Sequence, residues 1–350
     1  MLALRKLAAG SHQITLIEIA DPRPLPGHVT LAVKAAGLCG TDIHILRDEF
    51  PSRPPVTLGH EVTGEIMALG DGVDQFHVGD RVVTETYYST CRRCVWCRSG
   101  LPNLCDDRRS IGSAVDGGFA EYLTVPATGL HEIPHHLSWR AAAMLEPLAC
   151  TVHGLQNTPL WPGQWVVISG PGPMGLLAQQ VAQAAGCRVV MIGTDQDSHR
   201  LAVASELGAI TRRSGEDGLA EDIMTVTEGG APVVLECSGA AQAARMLTRV
   251  VRKRGHYAQI GLFGLPVPFV MDAVCYKELT LSGTNASIPS VWPMAMDLLA
   301  KGVVKTEPLI SEVFHLTDWA KALGALQAHD ALKVMLTPDP QFPGLDTNLK

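Results

Sequence analysis

Short apolar runs separated by turn-forming residues fill the first part of the chain. The segments 28–35, 62–69 and 81–86 each read as a β-strand, and Gly and Pro punctuate the intervals between them. This pattern predicts an antiparallel or barrel-like β-rich region over residues 1–155. After that the texture changes: β-rich apolar runs at 165–169, 188–192, 232–237 and 256–260 alternate with Ala-rich amphipathic stretches. Strands apolar on both faces, separated by helical segments, are the mark of βαβ units and a parallel sheet. The end of the chain returns to mixed structure, with a helix expected near 291–300. The pattern therefore predicts an α/β protein in which a parallel-sheet domain (156–288) is inserted into a discontinuous β-rich domain (1–155 and 289–350).

Composition supports two buried cores and removes several partners. Of 350 residues, 46% are hydrophobic and 18% charged, which is far from the composition of a disordered chain. With 28 Lys and Arg against 35 Asp and Glu the formal charge is −7, and no segment clusters basic residues, so no nucleic-acid partner is expected. No run has the length of a membrane span, and the N-terminal segment MLALRKLAAGSHQITLIEIA lacks a secretory pattern. The expectation is a cytoplasmic protein with no membrane partner.

Four of the nine cysteines, Cys91, Cys94, Cys97 and Cys105, fall within one stretch of fifteen residues. In a reducing compartment such density points to tetrahedral zinc rather than to disulfides. Four thiolates fill the coordination sphere and leave no position for a substrate, so this zinc is expected to be structural. Pro102 and the polar residues around it suggest an exposed lobe without a core, whose folding the metal would drive.

Gly170-Pro171-Gly172-Pro173-Met174-Gly175 is a complete G-x-G-x-x-G directly after the strand 165–169. The helical segment LLAQQVAQAAG follows, with Gly186 as its stop. Such a loop lets the backbone approach a pyrophosphate, whose charge the helix N-terminus stabilises. Asp195 lies twenty residues beyond Gly175, at the end of the next strand, where a carboxylate would accept ribose hydroxyls and repel a 2′-phosphate. NAD is therefore expected over NADP, although His199 and Arg200 leave NADP open.

A second set of candidate ligands is scattered: Cys39-Gly40-Thr41-Asp42-Ile43-His44, then Gly59-His60-Glu61, then Glu146-Pro147. One thiolate, one imidazole and one carboxylate would leave a fourth position open on zinc. A Lewis acid there can bind an alcohol oxygen and lower its pKa, so that the alkoxide forms near neutral pH and expels hydride.

With these residues in hand, the chain resembles the zinc-dependent medium-chain dehydrogenases, and among them the sorbitol (L-iditol 2-) and related polyol dehydrogenase branch. The resemblance rests on C-G-T-D-x-H at 39–44, L-G-H-E at 58–61, V-G-D-R-V at 78–82 and the cysteine lobe. It continues through D-G-G-F-A-E-Y at 116–122, L-E-P-L-A at 145–149, GPGPMG at 170–175 and Y-K-E-L at 276–279. It implies a GroES-like catalytic domain plus a Rossmann coenzyme domain, with one catalytic and one structural zinc per subunit. By this resemblance Cys39 and His60 are ligands of the catalytic zinc, with Glu61 or Glu146 as the third. Asp42 would orient His60, while the alcohol proton would leave to solvent through Thr41 and His44 or through a zinc-bound water held by Glu146. Coenzyme contacts are expected from Gly170, Gly172, Pro173, Met174, Gly175, Asp195 and Arg200.

Two departures bear on substrate. Animal sorbitol dehydrogenases carry an Arg-Tyr pair where this chain reads GTNASIP at 283–289, and Ile45 and Leu46 stand where some of them have aromatic residues. The substrate is thus expected to be a polyol or another secondary alcohol, in a more apolar pocket. The alternatives are L-threonine, a vicinal diol such as 2,3-butanediol, and a sugar-phosphate polyol; the remote one is a non-catalytic zinc- and nucleotide-binding protein. The apolar edge sequence at 276–282 suits pairing of subunits by sheet extension, and the resemblance suggests a homodimer or homotetramer.

Overall fold

A computed structural model of the chain describes residues 1–328 and 331–345. The chain forms two compact units. One comprises Met1–Glu146, Ile288–Ala300 and the chain from Ile310 on; the other comprises Pro147–Ser287 and Lys301–Leu309. Among the described residues, no helix is long and apolar enough to cross a membrane.

The first unit is built on a seven-stranded sheet. Its long strand His28–Gly37 pairs antiparallel with Glu61–Leu69 on one side, Gly37 facing Glu61, and with Lys333–Thr337, Gly37 facing Met335. Strands Arg81–Thr84, Leu130–Glu132, Tyr122–Pro126 and Ile310–His315 complete it. The apolar faces of these strands meet in one core, which includes Leu31, Ile66, Val82, Phe119, Leu123 and Phe314. Burying each such side chain contributes about 1.5–3 kcal/mol, and this fixes the register that brings residues 37, 61 and 335 side by side.

The second unit is a six-stranded parallel sheet. Its order is Ile210–Arg213, Arg188–Gly193, Trp165–Ser169, Ala231–Glu236, Val251–Gln259 and Thr280–Gly283. The chain starts at the third position, builds outward to one edge, then returns to build toward the other. That reversal leaves a crevice at the C-terminal ends of the two central strands. Helices cover the sheet, so strand residues such as Val167, Val190, Val234 and Tyr257 are buried. The segment Lys301–Leu309 is tied to this unit by a buried amide: Gln180 accepts from the Lys305 N–H at 2.7 Å and donates to its carbonyl at 3.1 Å. Such a long-range exchange has no local signal in the sequence.

Candidate active site

The strand His28–Gly37 ends just before Cys39, which opens the short helix Gly40–Leu46. Asp42 folds back in the first turn of that helix, and its Oδ2 accepts the Cys39 N–H at 2.8 Å. Glu61 begins the neighbouring strand, and His60 directly precedes it. Sheet register thus brings one ligand atom each from Cys39, His60 and Glu61 within 4.8 Å of one another.

This donor set fits a zinc ion. A sulfur, an imidazole and a carboxylate give three ligands and leave a fourth position open. The buried Asp42 carries a further sign: its Oδ1 has no hydrogen-bond partner and stands 3.8 Å from His60 Nδ1. A metal on the other ring nitrogen would fix the proton on Nδ1 and supply the donor that Asp42 lacks. Burial opposes charge on His60, but Asp42, Cys39 and Glu146 outweigh it and raise its pKa well above the usual value.

Glu61 has a second partner. Lys333, from the strand Lys333–Thr337, donates to its two carboxylate oxygens at 2.6 and 2.8 Å and to the Leu38 carbonyl at 3.1 Å. Lys333 is 4% exposed and Glu61 1%. Burial opposes the lysine's charge, but Glu61, Cys39 and Glu146 more than compensate and its pKa is raised. Removing one member of such a buried pair costs about 3–5 kcal/mol.

The other expected residues lie around this cluster. Glu146, buried in the helix Leu145–Gln156, acts electrostatically on both His60 and Lys333 but is not in the group of ligand atoms within 4.8 Å. Thr41 Oγ1 lies 3.8 Å from the Cys39 sulfur. His44, one helical turn further on and partly exposed, holds Glu49 Oε2 at 2.8 Å through Nδ1.

The cysteine lobe is a separate centre. The sulfurs of Cys91, Cys94, Cys97 and Cys105 form one group of ligand atoms within 4.8 Å of one another. Of residues 91–105 only Asn103 and Cys105 are buried, so the lobe has almost no apolar core. Backbone N–H groups turn inward onto sulfur, from Cys94 to Cys91 at 3.3 Å and from Cys97 to Cys94 at 3.4 Å. Such donors favour thiolate: those of Arg93 and Cys94 draw the Cys91 thiol down to about 6.

In the parallel unit, Gly170 has φ +102°, and a Cβ there would come within 2.7 Å of the Ser238 nitrogen. A Cβ on Gly175 would stand 1.9 Å from the Gly170 carbonyl oxygen, whereas one on Gly172 would meet nothing within 4 Å. The loop is therefore packed tight against its own sheet and open on the other side, at the N-terminus of the helix Pro173–Ala184. A cavity of about 1010 Å³ opens there, lined in part by Gly170, Gly193, Thr194, Asp197 and Ser238. These features fit a dinucleotide. Asp195 is exposed and has Arg213 at 3.4 Å, while Arg200 pairs with Asp197 at 3.3 Å.

Among the buried charged residues that escaped the sequence reading, Lys333 and Glu236 bear on these sites. Each sits in an apolar strand, in ALKVML and VVLEC respectively, and that break in the pattern was the available signal. Glu236 accepts from the backbone N–H groups of Ser238 and Gly239 and from Gln259, so it pins the loop that touches Gly170.

Comparison with known proteins agrees with this geometry. The family model for the alcohol dehydrogenase GroES-like domain matches residues 25–135, and that for zinc-binding dehydrogenases matches 173–301. The chain belongs to the zinc-dependent medium-chain dehydrogenases, with a GroES-like domain and a Rossmann-like parallel sheet. Within them it is sorbitol dehydrogenase-like: it is 42% identical to sorbitol dehydrogenase of Halalkalibacterium halodurans, over 97% of this chain and 99% of that one. It is also 35% identical to D-arabitol-phosphate dehydrogenase of Enterococcus avium, over 97% and 98%. A solved structure from Sinorhizobium meliloti, provisionally described as a zinc-binding dehydrogenase and bound to NADP, superposes with a TM-score of 0.89 at 33% identity, covering 96% and 99%.

Proposed function

We propose that this dehydrogenase oxidises a secondary hydroxyl of a polyol such as sorbitol or L-iditol to give a ketose, with NAD as hydride acceptor. The observation that carries the reading is the open, mixed ligand set of Cys39, His60 and Glu61 beside a closed four-cysteine lobe. Zinc bound at the open site supplies the Lewis acidity that lowers the alcohol's pKa, and NAD at the glycine-rich loop supplies the hydride acceptor.

The residues divide the remaining work. Cys39 and His60 hold the metal, with Glu61 or Glu146 as third ligand, and Asp42 keeps His60 in the tautomer that binds. Thr41 receives the alcohol proton, and His44, three residues on along the same helix face and already paired with Glu49, passes it to solvent. Gly170, Gly172, Pro173, Met174 and Gly175 cradle the pyrophosphate, and Asp195 accepts the adenosine ribose hydroxyls with Arg200 nearby. Cys91, Cys94, Cys97 and Cys105 hold a structural zinc. The expected division into a catalytic domain of 1–155 with 289–350 and a coenzyme domain of 156–288 differs from the two compact units at 147–155 and at Lys301–Leu309, which belong with the parallel sheet, and at Ile288, which belongs with the first unit.

NADP is the second reading for the coenzyme. The relative from Sinorhizobium meliloti is bound to it, and Arg213 beside Asp195 offers a cation to a 2′-phosphate. We also infer a cytoplasmic enzyme that assembles as a dimer or tetramer. Tyr276, 82% exposed, stands just before the edge strand Thr280–Gly283 and suits a subunit contact.

The test is reduced-coenzyme formation by the zinc-loaded enzyme across polyols, their phosphates, L-threonine and 2,3-butanediol, with NAD and with NADP. A marked preference for one unphosphorylated polyol with NAD supports the reading. Activity confined to threonine, small diols or sugar phosphates rejects the polyol assignment.

A further inference from the structure

We propose that Glu236 is a specificity-determining residue that biases coenzyme binding toward the oxidised form. Its buried negative charge, with no cation beside it, favours the dinucleotide whose nicotinamide ring is positive over the reduced one, whose ring is neutral. The proposal rests on the dinucleotide reading of the glycine-rich loop given above. Glu236 ends the strand Ala231–Glu236 and stands level with Ser169, which directly precedes Gly170, on one side and with Gln259 on the other. That is where the strand order reverses and the crevice opens.

Glu236 is 0% exposed, and its partners among the described residues are all neutral. They are the Ser238 N–H at 2.8 Å, the Gly239 N–H at 3.0 Å, the Ser238 hydroxyl and the Gln259 amide at 2.7 Å. Each of them donates. The Ala240 N–H donates to the Ser238 hydroxyl oxygen at 3.1 Å, which leaves the hydroxyl hydrogen for Glu236. Tyr257 donates to Gln259 Oε1 at 2.9 Å, which turns the amide nitrogen toward Glu236 and the Gly261 carbonyl. Two oxygens ringed by donors are what a carboxylate requires, since a carboxylic acid would need an acceptor of its own. The ionisable neighbours add no charge: burial, and then Glu236 itself, raise the pKa of the Cys237 thiol and of the Tyr257 hydroxyl. Bare main chain closes the pocket. A Cβ on Gly261 would lie 2.7 Å from Glu236 Oε2, and one on Gly239 would lie 2.3 Å from the Leu262 carbonyl oxygen. Solvent therefore screens this charge little.

Such a charge acts alike on the adenosine and phosphates of both forms and differs only in what it does to the ring. Over roughly 10 Å at an effective dielectric constant of about 20, one unit charge changes a binding constant by about tenfold. An acid present only to pin its loop would, when lost, weaken both forms together and leave their ratio unchanged.

The test is the ratio of dissociation constants, oxidised over reduced, for the full-length, zinc-loaded enzyme. Titration calorimetry measures it with NAD and NADH and with NADP and NADPH. If wild type binds neither pair, the dinucleotide reading and this proposal fall together; if it binds either, Glu236 is judged alone with that pair. In Glu236→Gln, which keeps the shape and removes the charge, the ratio should rise about tenfold. In Glu236→Asp, which keeps the charge, it should stay close to wild type even where both forms bind more weakly. A rise of less than about threefold in folded Glu236→Gln, or a rise in Glu236→Asp as large as in Glu236→Gln, overturns the proposal.

Gln259→Lys gives an independent answer should Glu236→Gln fail to fold. It leaves the acid in place and sets an ammonium where the amide nitrogen now serves Glu236 and the Gly261 carbonyl. The ratio should rise there as well, and an unchanged ratio overturns the proposal.

Discussion

The two cysteine-bearing centres are built in opposite ways. The lobe draws four sulfurs from residues 91–105 and has almost no buried apolar side chain, so its shape depends on what the sulfurs bind. The open site draws Cys39, His60, Glu61 and Lys333 from three neighbouring strand ends of a sheet with an apolar core of its own. By the proposed reading the first centre would fold around its metal, and the second would have its ligands placed by sheet packing. Closed coordination with a local sequence suits a staple; open coordination on a rigid sheet suits chemistry, because ligands held by packing keep their geometry while substrate exchanges.

The largest effect that would sharpen this contrast lies in the lobe. Cys94→Ser should remove one zinc and much of the stability, since structural zinc in small metal-dependent folds contributes about 10–16 kcal/mol of apparent binding energy at neutral pH. Limited proteolysis should then cut first within residues 91–105, while molecules still folded keep their turnover. Loss of turnover with the lobe intact would break the contrast.

At the open site, Asp42→Asn should lower zinc affinity or turnover by about 10–100-fold, the usual cost of disturbing a partner behind a metal-bound histidine. Chelator competition measures the first and steady-state rates the second. The melting temperature should move little by comparison, because the sheet and not the metal holds this region.

The smallest effect is expected in the parallel unit. His256 is buried, bonded to Ser282 Oγ at 2.7 Å, and its pKa is lowered from 6.5 by burial. The unfolded chain therefore takes up this proton first. The stability contributed by neutral His256 is present above pH 6.5 and is lost as pH falls from there toward the lowered folded value. His256→Gln should flatten that part of the stability profile, as read from urea midpoints at neutral and mildly acidic pH.

How much of each centre could be read in the sequence follows the same division. The lobe and the glycine-rich loop were legible because their residues are neighbours in the chain and their spacing carries the chemistry. The strands at 165–169 and 188–192 could be placed for the same reason, as short apolar runs, the second continuing one residue further to Gly193. The open site was legible only as fragments. That Cys39 and His60 meet depends on antiparallel register, and periodicity does not specify which strands pair. Lys333 was missed because its partner is 272 residues away. Glu236 was missed because an acid in an apolar run does not announce whom it binds. The attachment of Lys301–Leu309 to the parallel unit through Gln180 was equally out of reach.

The central claim is that Cys39 belongs to a reaction centre and Cys94 to a staple, and the most direct measurement is polyol-dependent NADH formation by zinc-loaded Cys39→Ser protein. We predict no detectable turnover, with circular dichroism and NADH binding unchanged from wild type. Near-normal turnover in folded Cys39→Ser would contradict the account at its base.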